Sequence, residues 1–281
     1  MLGSLALLSL WMTSCDRAPS TPSAKSEAET TPKEAVTPQT PTPRPPVTAV
    51  EPGDDQLPQA LALKSEGKTR EARALLQEIA ANGNTSDKAL AALGEINTQI
   101  LFTPTPAPEK VEYTVEAGDS LDKIAKRFGT TIELIKESNG LTRDLIRVGD
   151  RLRVYQGHFA VDISKTANAL TLTDNGKFFK RYRVGTGQFS KTPEGEFKIT
   201  SRIEHPPWYR ADGRTIPYGD PENILGTHWL GINVPGYGIH GTWDTNSIGK
   251  QSSAGCVRLL NDEVAELYVI LPIGTPVIIH E

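Results

Sequence analysis

The chain has 281 residues, of which 37% are hydrophobic and 6% aromatic, and its net charge is -4. This apolar content is low for one continuous globule, and the lack of a basic excess argues against nucleic acid as a partner. No aromatic residue stands between Met12 and Phe102, so the compact domains are expected mainly after the first third of the chain.

The first segment in chain order has the features of an export signal. A short apolar run from Leu5 to Met12 falls short of the about 20 residues that cross a bilayer. The following Met12-Thr13-Ser14-Cys15 resembles the cleavage box of bacterial lipoproteins, in which the cysteine is lipidated. Residues 1–15 are therefore interpreted as a lipoprotein signal peptide with Cys15 as the lipidation site, and a plain cleaved signal peptide is the alternative. A lipid anchor predicts membrane attachment at the periplasmic face of the cell envelope.

Two further segments precede the compact modules. Residues 16–53 are rich in Pro, Thr and Ser and lack hydrophobic periodicity, which predicts a disordered tether, or a tail without a spacing role. Residues 54–101 show helical spacing of apolar residues, and Ser86 is placed to cap a third helix. This stretch resembles one tetratricopeptide-like helical pair. We expect it to dock on a protein partner or on the rest of the chain, or to act as a spacer.

A βααβ pattern follows a second proline-rich linker at residues 102–110. Residues 111–155 have strand-like ends, and two helical stretches lie between them. Ser120 is placed to cap the first helix and Thr130 or Thr131 the second, which ends at Asn139-Gly140.

The marks YTV, GDS, L-x-x-IA-x-x-F, NG-L and I-x-x-GD-x-L in this segment resemble those of the LysM domain, a glycan-binding module. The resemblance implies binding to peptidoglycan glycan strands. The expected groove lies between Gly118-Asp119-Ser120 and the loop after Asn139. The same residues also make turns and caps, and the sequence does not separate the two roles.

The C-terminal segment, residues 158–281, reads as a mainly β domain. Its short apolar runs predict strands of a sandwich or barrel, with a hairpin turn at Asp174-Asn175-Gly176. One helix is expected from Asp262 to Ile270, capped by Asn261 or Asp262.

One cysteine and one histidine in this segment suggest acyl-transfer chemistry. His240 precedes Gly241, and Ser253-Ala254-Gly255-Cys256-Val257-Arg258 follows a short distance on. A free thiol has a pKa of about 8.5, so a nearby histidine is needed to take its proton. Neighbouring glycine lets backbone N–H groups approach a developing oxyanion. A zinc site is not expected, because the candidate ligands fit no compact spacing pattern; they are His205, His228, His240 and Cys256. No metal or cofactor is therefore predicted.

The same stretch resembles the catalytic signature of YkuD-type L,D-transpeptidases, as do the strings VGTG, TPEGEFKI and PPWYR. The resemblance covers residues 158–281, implies a β-sandwich with one helix, and departs at Ala254, where many members carry His. It makes Cys256 the nucleophile and His240 the general base and later acid, oriented by the Gly241 carbonyl. The implied oxyanion hole is formed by the backbone amides of Ala254, Gly255 and Cys256.

Other residues receive supporting roles. Ser253 is assigned a turn hydrogen bond, and Arg258 a substrate carboxylate or an acidic partner such as Asp262 or Glu263. Tyr237 and Trp243 flank His240 and are expected to form the wall of the substrate pocket or part of the core. The segment from Glu204 to Thr227, rich in Pro, Gly and aromatic residues, is expected to form a lid.

The implied activity is 3→3 cross-linking of peptidoglycan stem peptides through a thioester. The acyl acceptor stays open at this point, because transfer to water or to a protein amine needs the same donor half-reaction. A non-catalytic wall anchor is the remaining alternative. The expected partners are peptidoglycan, a membrane through the lipid, and a possible protein partner for the helical segment, with no nucleic acid.

Overall fold

The computed structural model describes residues 56–82 and 86–281 of the chain. The predicted signal peptide, its Cys15 and the predicted tether lie outside the described residues. Within the described part, no helix is long and apolar enough to cross a bilayer.

The first described segment consists of three helices, α1 (Gln56–Ser65), α2 (Thr69–Ala81) and α3 (Asp87–Phe102). Ser86 caps α3 as predicted, because its side chain accepts a hydrogen bond from the amide of Ala89 at 3.3 Å. The helices share one apolar core, to which Leu76, Ile79 and Leu93 contribute fully buried side chains.

The next segment is a compact βααβ module. It comprises β1 (Lys110–Thr114), α4 (Leu121–Phe128), α5 (Ile132–Asn139) and β2 (Arg151–Tyr155), with β1 and β2 antiparallel. Ser120 caps α4 by accepting from Lys123 N at 3.2 Å, and Thr131 caps α5 by accepting from Leu134 N at 2.9 Å. Both caps agree with the sequence prediction.

The C-terminal domain consists of twelve strands and one α-helix. In chain order they are β3 (Phe159–Ser164), β4 (Ala169–Asp174), β5 (Lys177–Arg183), β6 (Thr186–Gly187), β7 (Gly195–Glu204), β8 (Trp208–Tyr209), β9 (Thr215–Ile216), β10 (His228–Ile232), β11 (Gly238–His240), β12 (Gln251–Ser253), β13 (Val257–Arg258), α6 (Asn261–Ile270) and β14 (Pro276–His280). Eight of the strands form one sheet with the order β13-β11-β10-β7-β14-β3-β4-β5, and the others form the two-stranded pairs β12-β6 and β8-β9.

The structure corrects the predicted sandwich to a single curled sheet. The reason is strand β7, which pairs with β14 along Gly195–Lys198 and with β10 from Ile199 onward. Strand β7 therefore joins the β14 side and the β10 side into one continuous sheet. This sheet curls around the core, which in a sandwich would lie between two separate sheets. Helix α6 closes this core with the fully buried Val264, Leu267 and Ile270.

The predicted cap of α6 is also wrong. The N-cap is Leu260, and the helix begins at Asn261. The amide of Leu260 donates to the Glu263 carboxylate at 3.2 Å, so the first turn is closed from within the helix. The side chain of Asn261 instead accepts from the amide of Thr227 at 3.1 Å.

The helical segment docks on the rest of the chain, which was one of its three predicted roles. The buried Asn97 amide of α3 donates to the carbonyl of Phe179 in β5 at 2.9 Å and accepts from Arg73 Nε at 2.7 Å. Glu266 of α6 accepts from Lys180 of β5 at 2.6 Å and from Thr98 of α3 at 3.3 Å. Helix α3 is therefore fixed to the edge strand of the sheet.

The βααβ module is fixed to the same domain through α5. Thr131 donates to the carbonyl of Val269, and Glu133 pairs with Arg202 at 2.9 Å. The Arg202 guanidinium also lies 4.2 Å from the centroid of the Tyr268 ring. Leu134 is 1% exposed and belongs to the core of the C-terminal domain. The module and the domain thus share a packed, hydrogen-bonded interface.

Candidate active site

The edge of the curled sheet places the strand segments that carry the predicted nucleophile and base side by side. Strand β11 ends at His240, and the parallel strand β13 begins at Val257, directly after Cys256. The register pairs Ile239 with Val257 and His240 with Arg258. Two stretches that are distant in sequence therefore run side by side, and their pairing sets Cys256 beside the start of β11.

The Cys256 thiol is held by backbone groups of the segment before His240. Its sulfur donates to the carbonyl of Gly236 at 3.5 Å, and the amide of Gly238 faces it. Burial raises the pKa of the Cys256 thiol, while the Gly238 amide and the Arg258 charge oppose that rise. The resting thiol is therefore protonated and needs a base when it attacks.

His240 is a buried, neutral imidazole. Its Nδ1 donates to the carbonyl of Gly241 at 2.6 Å, which leaves Nε2 as the basic nitrogen. Burial is the main cause that lowers the pKa of His240 to about 4, although the carbonyls of Gly241 and Leu225 oppose it. The same carbonyls can stabilise the imidazolium that forms after proton uptake. The ring of Trp229 stacks on His240 with centroids 5.8 Å apart.

The turn before Cys256 differs from the predicted oxyanion hole in one donor. The amide of Gly255 donates to Ser253 Oγ at 3.0 Å, and that hydroxyl donates to the Cys256 carbonyl at 2.6 Å. The Gly255 amide is therefore already hydrogen-bonded to the Ser253 side chain and is not free to bind an oxyanion. Of the three predicted donors, the amides of Ala254 and Cys256 stay predictions.

Gly255 is required by the geometry of this turn. Its φ of +140° lies in a region that side chains rarely adopt, and an added Cβ would lie 2.6 Å from the Tyr237 ring. Tyr237 thus packs against the turn that carries the thiol. It supports the site from the core side and does not line the cleft into which the Cys256 thiol opens.

The thiol opens into a cleft of about 310 Å³. The cleft is largely apolar, and its lining comprises Ile203, Pro206, Pro207, Trp208, Tyr209, Leu225, Trp229, Gly236 and Cys256. Most of these residues belong to the segment from Glu204 to Thr227, which we call the cover segment. Trp229 and the backbone groups of Gly236 and Gly238 were not predicted from the sequence; for Trp229, the Pro235-Gly236 turn between its apolar run and the histidine strand was the available signal.

The cover segment is braced from inside by one buried side chain. Asn223 donates to the carbonyls of Pro206 at 3.0 Å and Ile216 at 3.1 Å, and it accepts from Leu225 N at 3.0 Å. Gly226 at its base approaches Gly241 so closely that an added Cβ would lie 2.7 Å from the Gly241 Cα. The wall of the cleft is therefore built onto the loop that carries His240.

The remaining predicted substrate contacts fall in different places. The Nε of Arg258 is buried without a hydrogen-bond partner among the described residues, and no ion pair joins Arg258 to Asp262 or Glu263 there. Trp243 does not line the Cys256 cleft: it is 56% exposed and lines a second cleft with Tyr218.

The two other histidines weighed as zinc ligands have packing partners. His205 lies against the ring of Tyr218 at a centroid distance of 4.2 Å, and His228 against Tyr268 at 4.7 Å. Within residues 56–82 and 86–281, no group of three or more potential metal ligands is found.

The predicted glycan-binding side chains of the βααβ module are engaged within the fold. Asp119 accepts from the Tyr113 hydroxyl at 2.7 Å and from Glu116 N at 2.9 Å, and Ser120 caps α4. Asn139 donates to the carbonyl of Arg153 at 2.9 Å and accepts from its amide at 2.8 Å. Gly118, with a φ of +88°, forms the turn before α4. The structure brings these residues to the module's turns, and their role in glycan binding stays a prediction.

Comparisons with known proteins match both compact modules. A sequence profile of the L,D-transpeptidase catalytic domain, YkuD, matches residues 158–279, and a profile of the LysM domain matches residues 113–154. A Bacillus subtilis protein named L,D-transpeptidase YqjB is 42% identical over 127 residues, 43% of this chain and 70% of that protein. Bacillus subtilis L,D-transpeptidase YkuD is 33% identical over 175 residues, 60% of this chain and 98% of that protein.

Among solved structures, an L,D-transpeptidase from Mycobacterium smegmatis superposes with a TM-score of 0.39 at 23% identity, over 48% of this chain and 65% of that one. A superposition this loose does not bear on the fold, so the sequence matches decide the relationship.

Proposed function

The chain belongs to the YkuD family of L,D-transpeptidases, and from this membership we propose that Cys256 and His240 carry out its acyl transfer. The family activity is cysteine-dependent cross-linking of peptidoglycan. The observation that carries the assignment is the Cys256 thiol, which opens into an apolar cleft beside a buried neutral imidazole. Thiol and base arise from adjacent parallel strands, so the sheet itself fixes their relative position.

The first half-reaction forms a thioester. His240 Nε2 takes the thiol proton as the sulfur attacks the carbonyl of the third residue of a stem peptide. The Gly238 amide, which faces the sulfur, stabilises the negative charge that develops on it as the proton leaves. The amides of Ala254 and Cys256 are proposed to receive the developing oxyanion. The carbon–nitrogen bond to the terminal D-Ala then breaks, and the imidazolium gives its proton to the leaving amine.

The second half-reaction transfers the acyl group to an amine of another stem peptide. The amine attacks the thioester and gives its proton to His240, an amide forms, and the thiol is restored. The product is a 3→3 cross-link. Arg258 is proposed to bind a stem-peptide carboxylate, because its Nε is buried without a partner among the described residues and its charge reaches both Cys256 and His240.

The LysM module is proposed to hold the enzyme on glycan strands. It shares an interface with the catalytic domain through Thr131, Glu133 and Leu134, so glycan binding would raise the local concentration of stem peptides at a fixed site. These domains indicate a location in the cell envelope. Lipidation of Cys15 at the membrane is a proposal that rests on the sequence pattern alone.

The helical segment is proposed to brace the sheet. Helix α3 covers edge strand β5 and contributes Asn97 and Thr98 to hydrogen bonds with the catalytic domain. An edge strand that is covered in this way is protected from pairing with other chains. The outer helices α1 and α2 remain the place where a protein partner of the tetratricopeptide-like segment would bind.

The proposed function is tested by product analysis. The purified full-length chain is incubated with a disaccharide tetrapeptide, and products are identified by mass spectrometry. We expect release of D-Ala and formation of 3→3 linked dimers. Release of D-Ala without dimers would assign the acceptor to water instead, and no release at all would contradict the proposed reaction.

A further inference from the structure

A second cleft lies beside the His240 loop and is not used by the mechanism above. It has a volume of about 400 Å³ and is lined by Tyr218, Gly219, Asp220, Pro221 and Trp243. Trp243 is 56% exposed and Tyr218 is 37% exposed, so two aromatic side chains present accessible surface in one concavity. We call it the aromatic cleft.

The walls of the aromatic cleft are built onto the active site. Trp243 follows His240 by three residues, and the loop after it is held by a hydrogen bond from Asp244 N to Thr242 Oγ1 at 3.1 Å. Tyr218 lies in the middle of the cover segment, and both ends of that segment line the Cys256 cleft. The ring of Tyr218 rests against His205 with centroids 4.2 Å apart. The cover segment therefore contributes a wall to each of the two clefts.

The chemistry of the aromatic cleft favours a neutral ring with hydroxyl and amide groups. The faces of aromatic rings have a negative electrostatic potential and attract the weakly positive C–H groups of a sugar face. Burial of the apolar ring surface against the sugar also stabilises the contact. Asp220 accepts from Glu222 N through Oδ1 at 2.8 Å, and its second oxygen can accept from a sugar hydroxyl or acetamido N–H. The carboxylate also disfavours an anionic peptide terminus in this position.

We propose that the aromatic cleft is a saccharide subsite that binds the amino sugar bearing the donor stem peptide. This inference rests on the proposed function, because that substrate joins a sugar to the peptide in the Cys256 cleft. Three extended residues span at most about 11 Å, so the sugar must lie close to the thiol once the third residue reacts. Trp243 follows His240 by three residues, so the aromatic cleft lies within a comparable chain length of the catalytic base.

The test compares two donors that differ only in the sugar, a disaccharide tetrapeptide and the free tetrapeptide. D-Ala release is measured for each with the full-length chain and no added acceptor. We expect wild type to prefer the disaccharide donor in kcat/KM. Trp243→Ala should lower the ratio of the two values by about five- to tenfold, through KM, and Trp243→Phe should restore most of it. The matched control is Phe189→Ala, which removes an aromatic ring that is 88% exposed and lines neither cleft.

The outcomes separate this inference from the proposed function. If wild type releases D-Ala from both donors with equal kcat/KM, or if Trp243→Ala leaves the ratio unchanged, the saccharide subsite is overturned while the transpeptidase assignment stands. An equal loss with both donors would assign Trp243 to the peptide and overturn the sugar assignment. Activity on neither donor would contradict the proposed function, and the subsite would fall with it.

Discussion

The catalytic edge of the sheet and the turns of the LysM module both carry motif residues, but they use them differently. At the catalytic edge, Cys256 opens into the cleft and Arg258 has a buried Nε without a partner among the described residues. In the module, the motif side chains form hydrogen bonds within turns and caps; they are those of Asp119, Ser120 and Asn139. Motif side chains are therefore left available by the fold in one region and are engaged in turns and caps in the other.

The difference lies in which polar atoms the fold leaves available. The catalytic edge holds its functional groups with backbone atoms, as the Gly236 and Gly241 carbonyls do for Cys256 and His240. In the module, side chains hold the backbone. The exposed large apolar side chains of the module are not among these motif residues. They are Leu145 and Val148, which are 73% and 70% exposed. Each prediction below tests one side of this contrast.

The largest expected effect comes from Cys256→Ala. Without the thiol no thioester can form, so D-Ala release should fall by at least about a thousandfold. Mass spectrometry measures the release, and thermal unfolding serves as the control that the fold is retained. A variant that stays folded and keeps wild-type turnover would remove Cys256 from the mechanism.

The next effect comes from His240→Gln. Loss of the base should lower the rate of acylation by about a hundredfold to ten-thousandfold, while substrate binding changes little. Single-turnover acylation by a carbapenem, followed by intact mass, measures this rate. Acylation of the variant at the wild-type rate would show that the thiol is activated by another group.

The pH dependence of acylation sharpens the same point. Burial lowers the pKa of His240 to about 4 and raises the pKa of Cys256, so the pair is neutral across the neutral range. The base is available wherever His240 is unprotonated, and the acylation rate should therefore fall only as the pH approaches about 4. A rate that instead rises steadily with pH up to the alkaline range would indicate attack by a thiolate formed in advance.

Features that depend on residues close together in the chain could be predicted from the sequence. Ser120, Thr131 and Ser86 were identifiable as caps because a cap depends on a side chain and an amide three residues away. The Cys256 and His240 pair was identifiable through the resemblance of its surroundings to the YkuD signature, since a lone thiol and imidazole also occur as packing residues.

The part that depends on long-range pairing could not be predicted in this way. The division of β7 between β14 and β10 joins strands far apart in sequence, so the single curled sheet was not visible beforehand. Trp243 was expected in the substrate pocket, but it lines the second cleft with Tyr218, a residue 25 positions earlier in the chain. The engagement of the Gly255 amide by Ser253 depends on the exact turn, which residue types alone do not define.

A smaller effect is expected in the LysM module from Asn139→Ala. The substitution leaves the Arg153 amide without its side-chain partner, while the Arg153 carbonyl keeps only the longer bond from Ser138 Oγ at 3.3 Å. It should lower the free energy of unfolding by about 1–3 kcal/mol. Chemical denaturation measures this loss. At temperatures where the variant is folded, co-sedimentation with peptidoglycan should be unchanged.

The matched variant for Asn139→Ala is Leu145→Ala, at an exposed position of the loop that follows α5. It should change stability by no more than about 0.5 kcal/mol and weaken co-sedimentation. The reverse pattern, in which folded Asn139→Ala loses binding and Leu145→Ala keeps it, would place a glycan contact on the Asn139 side chain and weaken the contrast between the two regions.

The finest test uses two serines with the same local task. Ser120 accepts from Lys123 N in the module, and Ser253 accepts from Gly255 N beside the thiol. Replacing either by alanine should lower the free energy of unfolding by about 1 kcal/mol, because each leaves one backbone amide without its acceptor. Denaturation curves of both variants measure this shared cost.

Only Ser253 also holds the backbone of the nucleophile, since its hydroxyl donates to the Cys256 carbonyl at 2.6 Å. Ser253→Ala should therefore slow carbapenem acylation by about tenfold, while Ser120→Ala acylates at the wild-type rate. Equal acylation by the two variants would mean that the turn holds the thiol without the serine, and that the catalytic edge, like the module, uses this motif residue for folding alone. A selective loss in Ser253→Ala would instead show one hydrogen-bonding pattern serving stability in one region and catalytic geometry in the other.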